Sequence, residues 1–364
     1  MNVAYGQASS QSLTAPIRLF SGNKQPGKML LCNSRGTGPL LRLFVLASLP
    51  AALVGAWNAG RDWLAVSSDV ADWRQQLFAI SGLPASSTVT ELLAGLSFLV
   101  PLLLVAIAVS AAWEFVFASL RRRSIDPGWL MSSWLFVLLL PPQTPLTLAA
   151  IGMSFGAVIG KHVFGGTGRY ITSPTAVGAL FLHFAYPAIA PAATSWSLIA
   201  EQGATQTVAD GVTWLTLFAG RETGMLGTAS ALACMLGALW LLLTGAASAR
   251  TLAGGLVGLL FAGWIAFQCG GNLPAHWQFA LGNAAFCWAF ILTDPTTLPL
   301  TRSGRWLHGF AFGSLIVLMR EADPARPESA LFAVVLAALF VPLIDYVTAL
   351  AARRKYANAL ELAQ

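Results

Sequence analysis

Apolar residues in this chain gather in long blocks separated by short polar stretches. Blocks lie near residues 43–60, 93–118, 129–142, 145–164, 174–192, 225–246, 251–268, 278–294, 305–320 and 329–350. A bilayer-crossing helix needs roughly 20 apolar residues, and several of these blocks approach that length. The pattern predicts an all-α polytopic membrane protein with about ten transmembrane helices. Prolines interrupt it at Pro141-Pro142-Gln143-Thr144-Pro145 and at Pro187 and Pro191, where a continuous helix is forbidden.

Composition agrees. Of 364 residues, 56% are hydrophobic and 10% charged, against roughly 25% charged in a soluble domain. That balance excludes disorder, collagen, coiled coil and a small disulfide scaffold. It also argues against a soluble enzyme, which would lack polar residues to cover such a core. The 34 Gly and 13 Trp suit close helix approach and interfacial anchoring. Cys32, Cys234, Cys269 and Cys287 contain no C-x-x-C pair and read as buried structural thiols. No two histidines stand at i, i+4, as a haem or zinc pair often requires.

Charge sets the expected topology. With the N-terminus inside and ten spans, 16 of the 21 basic residues fall inside, including Arg121-Arg122-Arg123, Lys161 and Arg353-Arg354-Lys355. Ten of the 15 acidic residues fall outside. Residues 1–42 are then a cytoplasmic tail without a cleavable signal peptide, 43–350 the membrane domain and 351–364 a second cytoplasmic tail. The expected location is the bacterial inner membrane. The runs Leu140–Leu146 and Leu292–Leu300 are both proline-broken helix ends at corresponding places in segments 43–192 and 225–350. They fit two pseudo-symmetric, inverted five-helix halves joined by an outer loop at 193–224, although proline-containing loops also resemble one another by chance.

Three acids fall at membrane depth: Glu114, Asp294 and Asp345. A charge there is costly, so it faces a cavity, pairs or is protonated. The functional reading is a cation or proton path, or polar groups around a cofactor. The plain reading is helix-end anchoring. The turn Phe164-Gly165-Gly166-Thr167-Gly168-Arg169 precedes Ser173 and Pro174, an N-cap and first helical residue. Its glycines permit close backbone approach, and Arg169 supplies a cation; a bare glycine helix end would look the same. It does not follow a strand, so a dinucleotide fingerprint is excluded.

Several runs occur in an order that resembles a known family. They are Asn-Ala-Gly at 58–60, Trp113-Glu114-Phe-Val-Phe, Phe164–Arg169, Pro174…Phe184-Ala-Tyr-Pro187, Thr293-Asp294-Pro295, Asp323–Glu328 and Pro342-Leu-Ile-Asp345. Over about residues 43–355 the chain resembles the B subunit of the sodium-translocating NADH:quinone oxidoreductase. The D subunit of the Rnf electron-transport complex is a more distant match. The resemblance implies a membrane flavoprotein subunit of an ion-translocating complex. It implies FMN joined through phosphate to an outer-face threonine, and riboflavin nearer the inner side. Electrons would pass through flavin towards quinone or another acceptor. The implied partners are the other subunits, quinone and a flavin transferase.

The family's attachment motif, roughly D-G-x-S-G-A-T, corresponds to Asp210-Gly211-Val212-Thr213-Trp214-Leu215-Thr216. Asp210, Thr213 and the acceptor Thr216 remain. Trp214-Leu215 replaces Gly-Ala, and two bulky residues are expected to obstruct a transferase. The chain therefore reads as a divergent member. That replacement also motivates a flavin-free channel or carrier on the same scaffold, or a non-redox assembly subunit. Gly165–Arg169, Ser173 and Pro174 are the candidate second flavin site; Glu114, Asp294 and Asp345 are the candidate ion path. With no Rossmann fingerprint and no iron–sulfur cysteine cluster, the chain does not oxidise NADH alone.

Overall fold

The structure is a computed structural model that describes residues 37–66, 74, 87–122, 124–125, 127–187, 213–221, 224–323 and 328–361. Most of the predicted N-terminal tail and outer loop, Asp210 included, therefore lies outside the described residues. The described residues form helices and connecting turns, with no strand among them. The protein is an all-α membrane protein.

Helix α1 spans Thr37–Val66 and α2 spans Thr88–Arg121. Helix α3 (Gly128–Leu138) and α4 (Leu146–Phe155) are separated at the proline cluster. Helix α4 continues as a wider π-helical turn over Gly156–His162. Then come α5 (Pro174–Ala185), α6 (Trp214–Ala219), α7 (Ala231–Leu243) and α8 (Ala249–Gln268). Two short turns, α9 (Trp277–Ala280) and α10 (Ala284–Phe286), lead into a second π-helical stretch, Cys287–Ile291. Helices α11 (Arg302–Ala322), α12 (Ser329–Leu339) and α13 (Val341–Glu361) complete the order.

Every predicted block contains helix, but among the described residues only α1, α2 and α8 are long and apolar enough to cross a bilayer singly. The pair α12 and α13 adds a fourth span if its 46° bend is counted through. Pro342 sits in the first turn of α13, where a missing N–H and a ring clash favour that break.

The centre is built from the short broken helices. Leu135–Leu140 and Ala284–Leu292 are buried throughout. Helices apolar on all sides belong in such a position. The end of α3 leaves carbonyls without helical partners. The segment before α7 meets that need: Gly227 N–H donates to Leu138 O at 2.6 Å and Leu226 N–H to Leu140 O at 3.1 Å. In lipid, such internal satisfaction of backbone groups is obligatory. The outer surfaces are apolar as well, with Leu53, Leu104, Leu243, Phe261 and Leu318 all exposed. Such faces suit acyl chains.

Small residues set the tightest crossings. A Cβ on Gly309 or Gly313 would stand less than 3.0 Å from backbone atoms of α8. Gly258 makes the reciprocal approach to Phe310. Near the candidate inner site, Gly156 and Gly160 press on Pro174 in the same way, which fixes the start of α5 against the π-helical turn.

Charge sorting expects Arg320 in an outer segment, and what it does not supply is the residue's partners. Arg320 is buried, at 2% exposure, at the end of α11. Its guanidinium donates to Gln278 O, to Gln278 Oε1 at 2.9 Å, to Leu281 O at 2.8 Å and to Ser329 Oγ at 3.0 Å. One side chain thus ties α9, α11 and α12 together. Replacing it with Met should strand two backbone carbonyls and cost about 2–6 kcal/mol, since each unsatisfied acceptor costs about 1–3 kcal/mol. A lowered melting temperature for Arg320→Met, with Arg320→Lys intermediate, checks this role.

Candidate functional site

The candidate residues fall into two groups. Trp57 at the far end of α1 donates its indole N–H to Glu91 at the start of α2. Glu114 lies near the other end of α2, separated from Glu91 by about 35 Å of helix at 1.5 Å per residue. That matches the roughly 30 Å of a hydrocarbon core. The Thr216 group lies at the first end and the Glu114 group at the second.

Helix α6 carries Thr216. Thr213 is its N-cap and forms a reciprocal capping box: Thr216 N–H donates to Thr213 Oγ1 at 3.3 Å, and Thr213 N–H donates to Thr216 Oγ1 at 3.1 Å. The Thr216 hydroxyl also donates to Thr213 O at 2.7 Å. Both ends of this short helix are held. Gly220 closes it with φ +88°, a conformation only glycine adopts without strain. Buried Asn58 donates its amide to Gly220 O, and Arg61 donates to Arg221 O at 2.9 Å. The Asn-Ala-Gly run, to which the sequence assigns no role, is thus a clamp for α6.

Trp214, one of the two residues expected to obstruct a transferase, is turned onto other partners. Trp214 stacks on Phe218, 4.8 Å between centroids, and donates its indole N–H to His276 O at 3.2 Å. Residues four apart share a helix face, whereas Thr216 lies two residues on and faces elsewhere. Leu215 is 67% exposed and stays beside Thr216, but it projects into open space. Thr216 itself is half-buried. A phosphoester on Oγ1 would keep that atom as the acceptor for Thr213 N–H and give up only the donation to Thr213 O. The residues present therefore fit covalent attachment.

At the other end, Glu114 does not stand alone. Lys161 Nζ lies 2.7 Å from its Oε2 and His162 Nε2 lies 3.5 Å from the same oxygen. All three residues are buried. His162 stacks on Phe117, with 4.4 Å between centroids and a 9° interplanar angle, and Arg121 donates to its carbonyl at 2.6 Å. Charge sorting reads Lys161 as a topology marker; the π-helical turn instead carries it inward to an acid. Such turns recur at functional sites.

The glycine-rich turn follows directly. Gly165 N–H and Gly166 N–H donate to His162 O and Lys161 O at 3.1 Å each. Gly165, Gly166 and Gly168 all have positive φ, at +114°, +96° and +82°. Gly166 and Gly168 face open space, so a flat ligand can approach the backbone there. Arg169 is exposed beside them, and Thr167 lies against Gly128. Ser173 is the N-cap of α5 by backbone conformation, without a side-chain cap bond, and Pro174 is its first residue.

Tyr170, which the sequence does not single out, links this turn to Asp294. Its hydroxyl donates to Asp294 Oδ2 at 2.8 Å. Thr296 donates to Oδ1 from N–H at 3.0 Å and from its hydroxyl at 2.8 Å. The buried carboxylate is thus held by three donors. Asp345 joins two helices. It is half-buried and accepts from Leu300 N–H at 3.1 Å and Thr301 N–H at 3.4 Å, which joins α13 to the start of α11. Among the described residues Lys161, Arg320 and Glu328 are buried charged residues as well.

Fold and site together define a multi-helix membrane protein with polar clusters at opposite ends of one long helix. The chain belongs to the NQR2, RnfD, RnfE family, whose model matches residues 32–353. It is 35% identical over 327 residues to a protein of Ectopseudomonas mendocina named as the B subunit of a Na(+)-translocating NADH-quinone reductase. That alignment covers 83% of this chain and 81% of the relative. A protein of the same name in Pseudomonas aeruginosa is 36% identical, with the same coverage. One in Haemophilus influenzae is 32% identical over 335 residues, covering 83% of this chain and 82% of its own.

Proposed function

We propose that this chain is the membrane flavoprotein subunit of a sodium-translocating NADH–quinone reductase, passing electrons through flavin towards quinone. Similarity over most of the chain to proteins named for that complex supports the assignment. The half-exposed Thr216 hydroxyl on a helix clamped at both ends carries the flavin reading. The same reading includes ten spans in two inverted halves, both termini on the cytoplasmic side of the bacterial inner membrane, and Asp210–Thr216 on the outer face.

Flavin, when bound, supplies one- and two-electron transfer. The chain's residues hold and orient it. Thr213 fixes the Thr216 backbone, Asn58 and Arg61 fix the far end of α6, and Trp214 leaves the Thr216 face clear. The turn at Gly165–Arg169, with Ser173 and Pro174, offers the riboflavin position. Glu114 and Asp294 belong to the electrostatics of the ion path, and Asp345 anchors helix ends beside it. Other subunits supply NADH oxidation, and a flavin transferase loads Thr216.

In-gel fluorescence of denatured chain, co-expressed with a flavin transferase, tests the covalent part. A fluorescent wild-type band that is dark in Thr216→Ala is expected. A dark wild-type band would remove covalent flavin, and a band that survives Thr216→Ala would move it elsewhere. The flavin-free carrier gains no support from Trp214, whose bulk is turned onto Phe218 and His276.

A further inference from the structure

Glu114 and Lys161 are 7% and 2% exposed, and their charged atoms are in direct contact at 2.7 Å. An acid this deep faces a cavity, pairs or is protonated, and Glu114 is paired. The counter-charge here is not a wandering surface lysine. Lys161 sits in the π-helical turn whose next residue is stacked on Phe117, whose carbonyls accept from Gly165 and Gly166, and whose Gly160 presses on Pro174. These contacts position the turn so that the side chain reaches Glu114. The other basic side chains nearby are differently engaged. His162 contacts the same oxygen at the longer distance of 3.5 Å, and the Arg121 guanidinium is spent on a backbone carbonyl.

We propose that Lys161 is a tethered counter-cation that fills the place at Glu114 a free sodium ion would take. An ammonium in contact with Oε2 and a sodium ion bound to the same oxygen supply the same charge to the same atom, so they exclude each other. While the ammonium is in place, Glu114 is closed to sodium; it opens only when Lys161 withdraws. Sequence alone makes Glu114 an open member of an ion path, and the contact with Lys161 makes it a gated one. Its meaning for transport rests on the sodium-translocating reading, whereas the occupancy of Glu114 does not.

The test uses the full-length purified chain in detergent as wild type, Lys161→Met, Glu114→Gln and the double variant. Melting temperature is measured in sodium chloride and in choline chloride at equal ionic strength. Lys161→Met keeps the apolar stem and removes the ammonium, leaving a charged Glu114 beside a gap. Wild type should melt alike in both salts. Lys161→Met should melt several degrees higher in sodium, because a ligand that binds only the folded state stabilises it. The double variant should lose that difference. Recovery of folded Lys161→Met in sodium but not in choline carries the same meaning.

Three results would overturn the proposal. The first is equal melting of Lys161→Met in the two salts. The second is its failure to fold in both salts while the double variant folds. The third is a sodium-specific shift in wild type that disappears in Glu114→Gln, since sodium would then share the site with Lys161 in place. Failure of the sodium-translocating reading would register separately, as turnover of the complete complex that is indifferent to sodium.

Discussion

Gly313→Leu is expected to leave little or no folded protein. A Cβ at position 313 would stand less than 3.0 Å from Gly255 O and Leu259 N, both backbone atoms that cannot turn aside. Relief requires α11 to move off α8 along a crossing that Gly258 and Gly309 also keep close. In lipid, helix association rests on such close packing, because tails are as apolar as the side chains they replace. Overpacking costs about 1–3 kcal/mol, and more where backbone must move, a large part of a marginal stability. The monodisperse fraction after detergent extraction reads the effect. Leu318→Phe on the same helix should behave as wild type, because Leu318 is 67% exposed on the lipid-facing side.

Much of this fold is legible in the sequence because lipid imposes a strong rule. Apolar blocks must become helix, and prolines must end them. The Pro141–Pro145 break and the turn at Asp294-Pro295 follow directly. What a linear reading lacks is the partner of each polar group. Tyr170 meets Asp294 across 124 residues, and Asn58 meets Gly220 across 162. Neither pairing leaves a local signal. Lys161 is closer to Glu114 in sequence, but counting it as an inner loop charge hides the π-helical turn that brings it inward. Arg320 is a related case: its place near a helix end is legible, and the carbonyls that surround it are not.

The attachment motif teaches the opposite lesson. Bulk at Trp214-Leu215 is visible in a sequence, and the direction of Trp214 is not. The i, i+4 spacing of Trp214 and Phe218 carries the missing signal, since it places both rings on one face and Thr216 on another. The Thr213…Thr216 spacing likewise marks a helix start, with hydroxyls at the N-cap and the third helical position.

The proposed function stands or falls on electrons reaching quinone through flavin on Thr216. Quinone reduction by NADH in the complete complex reads this step, comparing wild type with Thr216→Ala. The hydroxyl is the proposed attachment point, and among the described residues its bonds stay within the Thr213–Thr216 box, so the variant should assemble normally. A loss of at least about 100-fold in quinone reduction is expected, or roughly 2.7 kcal/mol at 1.36 kcal/mol per tenfold. NADH oxidation by an artificial acceptor that takes electrons upstream should be retained. Undiminished quinone reduction in Thr216→Ala would contradict the proposed route.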